Sequence, residues 1–135
     1  MNSSLILIAL TLTVNPVGNL DDHIASKQGM EIVMTTSFYG GPKDKFHGRE
    51  MASGEIFDEN NPTLAAHKSL KFGTKVKLTN PHNNQGQIVI VKDRGPYPKN
   101  KKGEYTRDLD VSFAAAKKLG LIQPGVANLK AEIIP

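Results

Sequence analysis

What most constrains this chain is a rhythm of short β-type runs, each closed by glycine, proline or asparagine, with room for one clear helix. Glu31 to Tyr39 reads Glu-Ile-Val-Met-Thr-Thr-Ser-Phe-Tyr and stops at Gly40-Gly41-Pro42. β-Branched and aromatic side chains fit a pleated surface and the Gly-Gly-Pro stop breaks it, which predicts a strand followed by a loop. After Gly73, Thr74 to Thr79 alternates with period two, placing Val76 and Leu78 inward and Lys75 and Lys77 outward. Gln87 to Val91 has a continuous apolar centre, which predicts a strand buried on both faces. It runs into a sharp exit at Lys92-Asp93-Arg94-Gly95-Pro96. Val126 to Ile134 reads as a final strand. Between these runs, residues 43–62 are polar and turn-rich, and Thr63 to Leu70 is expected to hold a short helical turn bearing His67.

The clear helix is Phe113 to Leu119. Ser112 is a good N-cap, Lys117 and Lys118 complement the negative C-terminal end of the helix dipole, and Gly120 suits the left-handed closing position. Five or six strands and one or two short helices predict a mainly β fold, a small closed barrel. At 135 residues there is length for one hydrophobic core and not for a second independent one. The chain has no cysteine. A disulfide framework and thiolate chemistry are therefore excluded, the fold must stand on its core alone, and a lipid-anchoring cysteine is not expected.

Leu5 to Val14 is a ten-residue apolar run. It is too short to span a bilayer, which takes about 18 or more such residues, but its length suits a signal-peptide core. Residues 1–26 are accordingly expected to be a signal peptide or leader without a stable membrane span, and residues 27–135 the working domain. The leader is atypical, because no Lys or Arg precedes the run.

The formal charge is +4, and fourteen of the seventeen cations are lysine. Base-edge readout favours arginine and single-strand binding favours aromatic platforms, yet Trp is absent and aromatics make up only 6%. Nucleic acid is not the expected partner. A diffuse lysine-rich surface suits an anionic cell-wall glycan, or serves solubility alone.

Four segments carry the specific signal. They are Phe38-Tyr39-Gly40 with Phe46-His47-Gly48; Ala52-Ser53-Gly54-Glu55-x-Phe57; Leu64-Ala65-Ala66-His67-Lys68-x-Leu70-x-Phe72-Gly73-Thr74; and Asp93-Arg94-Gly95-Pro96-Tyr97 followed by Arg107-x-x-Asp110-Val111-Ser112. In this order and spacing, over about residues 36–134, the chain resembles the rare lipoprotein A family. These are septal-ring lytic transglycosylases built on a six-stranded double-psi β-barrel. The resemblance implies an extracytoplasmic, monomeric enzyme that needs no cofactor or metal. Its substrate would be peptidoglycan glycan strands, cut at the MurNAc–GlcNAc β-1,4 bond to leave 1,6-anhydro ends. The alternative is a non-catalytic, expansin-like barrel that binds or loosens wall glycan. A third reading, an ordinary hydrolase with two carboxylates, would leave reducing ends.

Cleaving a glycosidic bond requires a carboxylic acid to protonate the leaving oxygen while the sugar gains oxocarbenium character. In a lytic transglycosylase the sugar's own 6-hydroxyl attacks, so one carboxyl group can serve first as acid and then as base. Four residues in the matched segments are candidates. Asp93 ends an apolar strand, where partial burial would raise its pKa towards that of a useful acid, although it could instead cap the turn or pair with Arg94. Asp110 precedes the helix cap, where a carboxylate could merely stabilise the helix end. His67 is expected to hydrogen-bond to a carboxylate or to substrate, and Glu55 is the remaining acid. Tyr39, Ser53, Arg94 and Tyr97 are the candidate substrate contacts, the tyrosines by stacking on sugar rings. His23, His47, His67 and His82 show no ligand spacing, so no metal is expected.

The chain departs from the family pattern at several positions. Met51 replaces the usual threonine and is expected to remove a hydroxyl from the groove. Lys71 replaces a proline. Lys92 stands where an asparagine is common, and a cation there is expected to favour the ionised form of Asp93. The loop from Lys99 to Thr106 is longer and more basic than the pattern.

Overall fold

A computed structural model describes residues 30–135; the leader expected over residues 1–26 lies outside them. The elements run β1 (Glu31–Tyr39), β2 (Leu64–His67), β3 (Lys75–Asn80), β4 (Gln85–Asp93), β5 (Leu109–Ser112), α1 (Phe113–Leu119) and β6 (Ala127–Ile134). The six strands close into a barrel in the order β1-β5-β2-β4-β3-β6. Two pairs are parallel, β1 with β5 and β2 with β4, and the other four are antiparallel. This is the expected six-stranded barrel, with one helix among the described residues. No helix of the described residues is long and apolar enough to cross a membrane.

Alternation along the strands fills the barrel. Met34, Ala65, Val76, Leu78, Val89, Val91, Leu109, Val111, Leu129 and Ala131 are all essentially inaccessible and form one core. The helix adds Ala115, Ala116 and Leu119 to it. Its caps are those read from the sequence: the Ser112 hydroxyl accepts from the Ala115 amide, and Gly120 adopts φ 74°, donating its amide to the carbonyls of Ala116 and Lys117.

Two local expectations are corrected. Thr63 to Leu70 forms no helical turn around His67; residues 64–67 are β2, buried between β4 and β5. Alanine-rich sequence favours helix on its own, but four residues wedged between two strands gain more from ladder hydrogen bonds than from one isolated turn. The β4 strand is not buried on both faces. It begins at Gln85, and Ile88 is 44% exposed while Val89 and Val91 are covered. In a barrel only one face of each strand looks inward, so a continuous apolar run still alternates. Leu109–Ser112, to which the sequence reading assigned no element, is a strand in its own right, lying between β1 and β2.

The polar segment between β1 and β2 folds across the outside of the barrel and encloses a second apolar cluster. Tyr39, Met51, Phe57, Leu64 and Ala66 form it. The segment is stitched internally by Gly48 N–H to Phe57 O and Phe57 N–H to Arg49 O, each 2.8 Å. It is tied to the helix start by the Ser112 hydroxyl donating to Asn61 O at 2.7 Å and by Ala114 N–H to Glu59 O at 2.9 Å. At Gly41 the chain passes so close to the helix that an added Cβ would lie 2.7 Å from the Phe113 ring, and φ there is +92°. Both conditions select glycine.

Candidate active site

Strand register builds the site. Ser37 on β1 pairs with Asp110 on β5; Asp110 pairs with Ala66 on β2; Ala66 pairs with Asp93 on β4. These four residues make one row across four adjacent strands, and paired residues share a face. Leu109 and Val111 point into the core, so Asp110 points out of it. Asp93 would point inward with Val91 if β4 were regular. A bulge prevents this: Ala65 pairs with Val91 but Ala66 with Asp93, leaving Lys92 as the extra residue. The bulge turns Asp93 to the outer face, where it flanks Ala66 opposite Asp110.

Above this row lies a groove of about 420 Å³, whose lining includes Tyr39, Asp44, Ala66, Asp93, Asp110 and Arg107. That volume is within the usual range for small-molecule and sugar sites. Arg94, Pro96 and Tyr97 wall it on the β4 side, and Phe46 on the other.

Asp110 accepts a hydrogen bond from the Ser37 hydroxyl at 3.1 Å. Its pKa is raised from 3.8 to about 6, mainly by burial; the Ser37 bond and Arg107 oppose the rise, and the nearby carboxylates Asp44 and Asp93 add to it. A carboxyl group poised near neutrality can hold a proton and give it up, as a general acid must. Asp93 is tied down differently. It accepts from the Tyr39 hydroxyl at 3.0 Å, and from the amides of Ala52 and Arg94 at 2.9 Å each. Burial thus raises the carboxyl group of Asp110, a residue read in the sequence both as a candidate acid and as near a helix terminus.

Tyr39 lies under the groove. Its ring stacks on Phe57 with centroids 4.2 Å apart and planes 18° apart, and Phe46 meets it edge-on at 5.6 Å. Burial, followed by the charge and hydrogen bond of Asp93, pushes its hydroxyl well above the ordinary tyrosine value, so it stays a proton donor to Asp93. The side chain sits in the second apolar cluster.

Of the other predicted residues, Arg94 and Tyr97 line the groove, whereas Glu55, Ser53 and His67 are not part of its lining. Glu55 is exposed and ion-paired with Lys92 at 2.7 Å. The Lys92 ammonium group thus reaches the turn that carries Glu55. Ser53 sits in the same turn, its amide donating to Lys92 O and its hydroxyl accepting from the Glu55 amide. This turn presents the Ala52 amide to Asp93. Met51 is 4% exposed within the second apolar cluster, so the substitution fills that cluster and does not alter the groove wall.

Arg94 does not pair with the Asp93 carboxylate through its guanidinium. It donates to the carbonyls of His67 and Leu70 at 3.1 and 2.8 Å and lies over the Phe72 ring at 4.0 Å. His67 is buried, and its Nδ1 accepts the amides of Ser69 and Leu70 at 3.1 Å each. That nitrogen braces the turn after β2. Tyr97 is half exposed at the groove edge. Sequence reasoning missed Asp44, Ser37 and Arg107. Asp44 accepts from the Gly40 amide at 2.8 Å and the Phe46 amide at 3.1 Å, shaping the wall beside Asp110. Its polar loop offered no periodic signal; the Arg107-x-x-Asp110 spacing did point to Arg107.

A family model described as lytic transglycolase matches residues 32–131. The chain is 41% identical over 120 residues to a protein of Nostoc sp. named probable endolytic peptidoglycan transglycosylase RlpA, a match covering 89% of this chain and 30% of the relative. It is 44% identical over 99 residues to the endolytic peptidoglycan transglycosylase RlpA of Rickettsia felis, covering 73% of this chain and 40% of that one. A probable RlpA of Aquifex aeolicus is 46% identical over 98 residues, covering 73% and 39%. The chain spans less than half the length of these curated relatives. Among solved structures, Streptomyces papain inhibitor aligns with a TM-score of 0.55 at 21% identity, over 80% of this chain and 97% of that one. Cerato-platanin 3 from M. perniciosa aligns at 0.52 and 11%, over 77% and 95%. At these identities the likeness is one of fold.

Proposed function

The chain belongs to the lytic transglycolase family, and from that premise we propose that it is an endolytic peptidoglycan transglycosylase acting outside the cytoplasm. The observation that carries the chemistry is the Asp110–Ala66–Asp93 row beneath the groove, with a proton-holding carboxyl group at one end and a fixed carboxylate at the other. A glycan strand lies in the groove with the MurNAc–GlcNAc bond above Ala66. Asp110 gives its proton to the glycosidic oxygen, the C1–O bond breaks, and the departing GlcNAc keeps that proton as its 4-hydroxyl. The muramyl ring gains positive charge at C1, which Asp93 faces from across Ala66. Asp110, now a carboxylate, takes the proton from the muramyl 6-hydroxyl as O6 closes on C1. The product is a 1,6-anhydro end, no water is consumed, and Asp110 is protonated again for the next turnover.

Tyr39 and the amides of Ala52 and Arg94 hold Asp93 against rotation, so its charge is placed before substrate arrives. His67 and Arg94 act as positioning residues, bracing the β2–β3 turn behind the groove wall. Digestion of purified sacculi is expected to release muropeptides with 1,6-anhydro ends, read by mass spectrometry. Reducing ends in their place would make the protein a hydrolase. Binding to sacculi with no soluble product would make it a non-catalytic wall binder.

Glu55→Gln breaks the ion pair with Lys92 and loosens the turn that delivers the Ala52 amide to Asp93. It is expected to lower kcat/KM by roughly tenfold or more, a loss of about 1.4 kcal/mol of transition-state stabilisation. Unchanged turnover would show that the turn holds its shape without the pair.

A further inference from the structure

Three carboxyl groups line the groove, Asp44, Asp93 and Asp110. The reaction uses the last two and leaves Asp44 without a task. Asp44 is fixed in place all the same. Its Oδ2 accepts the Gly40 amide at 2.8 Å and its Oδ1 accepts the Phe46 amide at 3.1 Å. An aspartate that takes the amide two residues on closes a local turn. That turn is pinned to the site, because the Phe46 ring meets Tyr39 edge-on at 5.6 Å. Among the described residues, no cation lies within ion-pair distance of Asp44. A negative charge is thus held in the groove wall without a partner.

Arg107 brings the opposite charge to the same groove. Its main chain is anchored on both sides. The Arg107 carbonyl accepts from the Lys68 ammonium group. The next residue, Asp108, donates its amide to Thr35 O and accepts the Thr35 amide at its carboxylate, each at 2.8 Å. Among the described residues, no carboxylate lies within ion-pair distance of the Arg107 guanidinium. Its charge therefore acts on the groove through space.

Both charges bear on Asp110. A like charge disfavours the ionised form of a carboxyl group and an unlike charge favours it. Burial is the main cause of the raised Asp110 pKa; Arg107 lowers it, and Asp44 and then Asp93 raise it. The other polar groups around Asp110 are committed. On β1, Ser37 donates to Asp110 itself and Tyr39 to Asp93. β2 places only Ala66 opposite it. Asp93 on β4 is held by three donors, and the Arg94 guanidinium is spent on the carbonyls of His67 and Leu70. Asp44 and Arg107 are the two charges free to set the acid.

We propose that Asp44 and Arg107 are an opposed pair of positioning residues for the acid. Asp44 keeps the proton on Asp110 until the glycosidic oxygen arrives, and Arg107 steadies the carboxylate left when the proton has gone. The inference rests on the transglycosylase reading above and deepens it, because an acid that must also return as base needs both states within reach.

The test follows kcat/KM for anhydro-end release against pH, beside the Asp110 carboxyl titration of the free protein by NMR. Asp44→Asn is expected to lower both midpoints by about 0.5 pH unit. Turnover then falls about threefold above pH ~7 and is unchanged below pH ~5. Arg107→Gln is expected to raise both midpoints by a similar amount. Glu59→Ala is the control: Glu59 holds the Gly41 amide of the same loop at 2.9 Å but does not line the groove. It should leave both midpoints in place. Unmoved midpoints in Asp44→Asn and Arg107→Gln, shifts of the same sign in the two, or an equal shift in Glu59→Ala would overturn the pair. Opposite shifts of the Asp110 titration in a protein that forms no anhydro ends would leave the pair standing and remove the transglycosylase reading. Anhydro ends with unmoved midpoints would do the reverse.

Discussion

Asp110→Asn is expected to abolish turnover and, at the same time, to make the folded protein more stable above pH 6. The first effect follows from removing the proton that cleaves the bond. Loss of a positioned general acid costs roughly 10²–10⁴ in rate, and here the same group also returns as base, so at least about 10³ is expected. The second effect follows from burial. In the fold Asp110 holds its proton up to about pH 6, while in the unfolded chain the group ionises at its ordinary value of 3.8. The native state therefore binds the extra proton between these values. Its contribution to stability is fully present below about pH 4 and is lost as pH rises through 6. At pH 8 the difference is on the order of 3 kcal/mol, an upper figure because part of the side chain reaches solvent.

Asparagine keeps the acceptor for the Ser37 hydroxyl and carries no charge at any pH. Thermal unfolding of Asp110→Asn and wild type should coincide at pH 4 and separate by about 10 °C in favour of the variant at pH 8. Wild-type turnover should fall on the alkaline side with a midpoint near 6. A variant that stays active, or that gains nothing at pH 8, would remove Asp110 as the acid.

Phe57→Ala is expected to cost about 3–5 kcal/mol, a large part of the ~5–15 kcal/mol that holds a domain of this size. The side chain is 2% exposed, and the barrel's own core does not touch its role: it fills the space between the covering segment and the outer wall. Its ring stacks on Tyr39, and an added Cβ at the neighbouring Gly40 would sit 3.1 Å from it, which marks how little slack surrounds it. Removing the ring leaves a cavity beside Tyr39 and frees the hydroxyl that anchors Asp93. Turnover should therefore drop along with stability. Phe57→Leu, which keeps most of the volume, is expected to lose no more than about 1.5 kcal/mol. Urea unfolding measures both. A loss below about 1 kcal/mol for the alanine variant would show that the covering segment opens independently of the barrel.

Much of the barrel was legible from local chemistry. β1 ended where Gly40 and Gly41 end it, β3 alternated as Lys75 to Leu78 alternate, and α1 carried both of its caps in Ser112 and Gly120. Those features depend on side chains within a few residues of one another, so a linear reading reaches them. The four motif segments also marked the right neighbourhoods, because the bulge, the covering turn and the β5 row all fall inside them.

What the sequence by itself determined, then, was a mainly β barrel of this family with Asp93 and Asp110 in reserve as acids. Only the tertiary structure decided which way each of them faces and that burial raises the Asp110 carboxyl group. Period-two alternation from Val91 sends Asp93 into the core; the pairing of β4 with β2 inserts Lys92 as an extra residue and turns it out again. Asp110 read as either a candidate acid or a helix-end carboxylate, and it is β5, lying between β1 and β2, that buries it beside Ser37, Asp44 and Arg107. Register and burial arise from strands far apart in the chain, and the proton on a carboxyl group answers to burial. That is why the fold could be read from neighbouring residues and the burial of Asp110 could not.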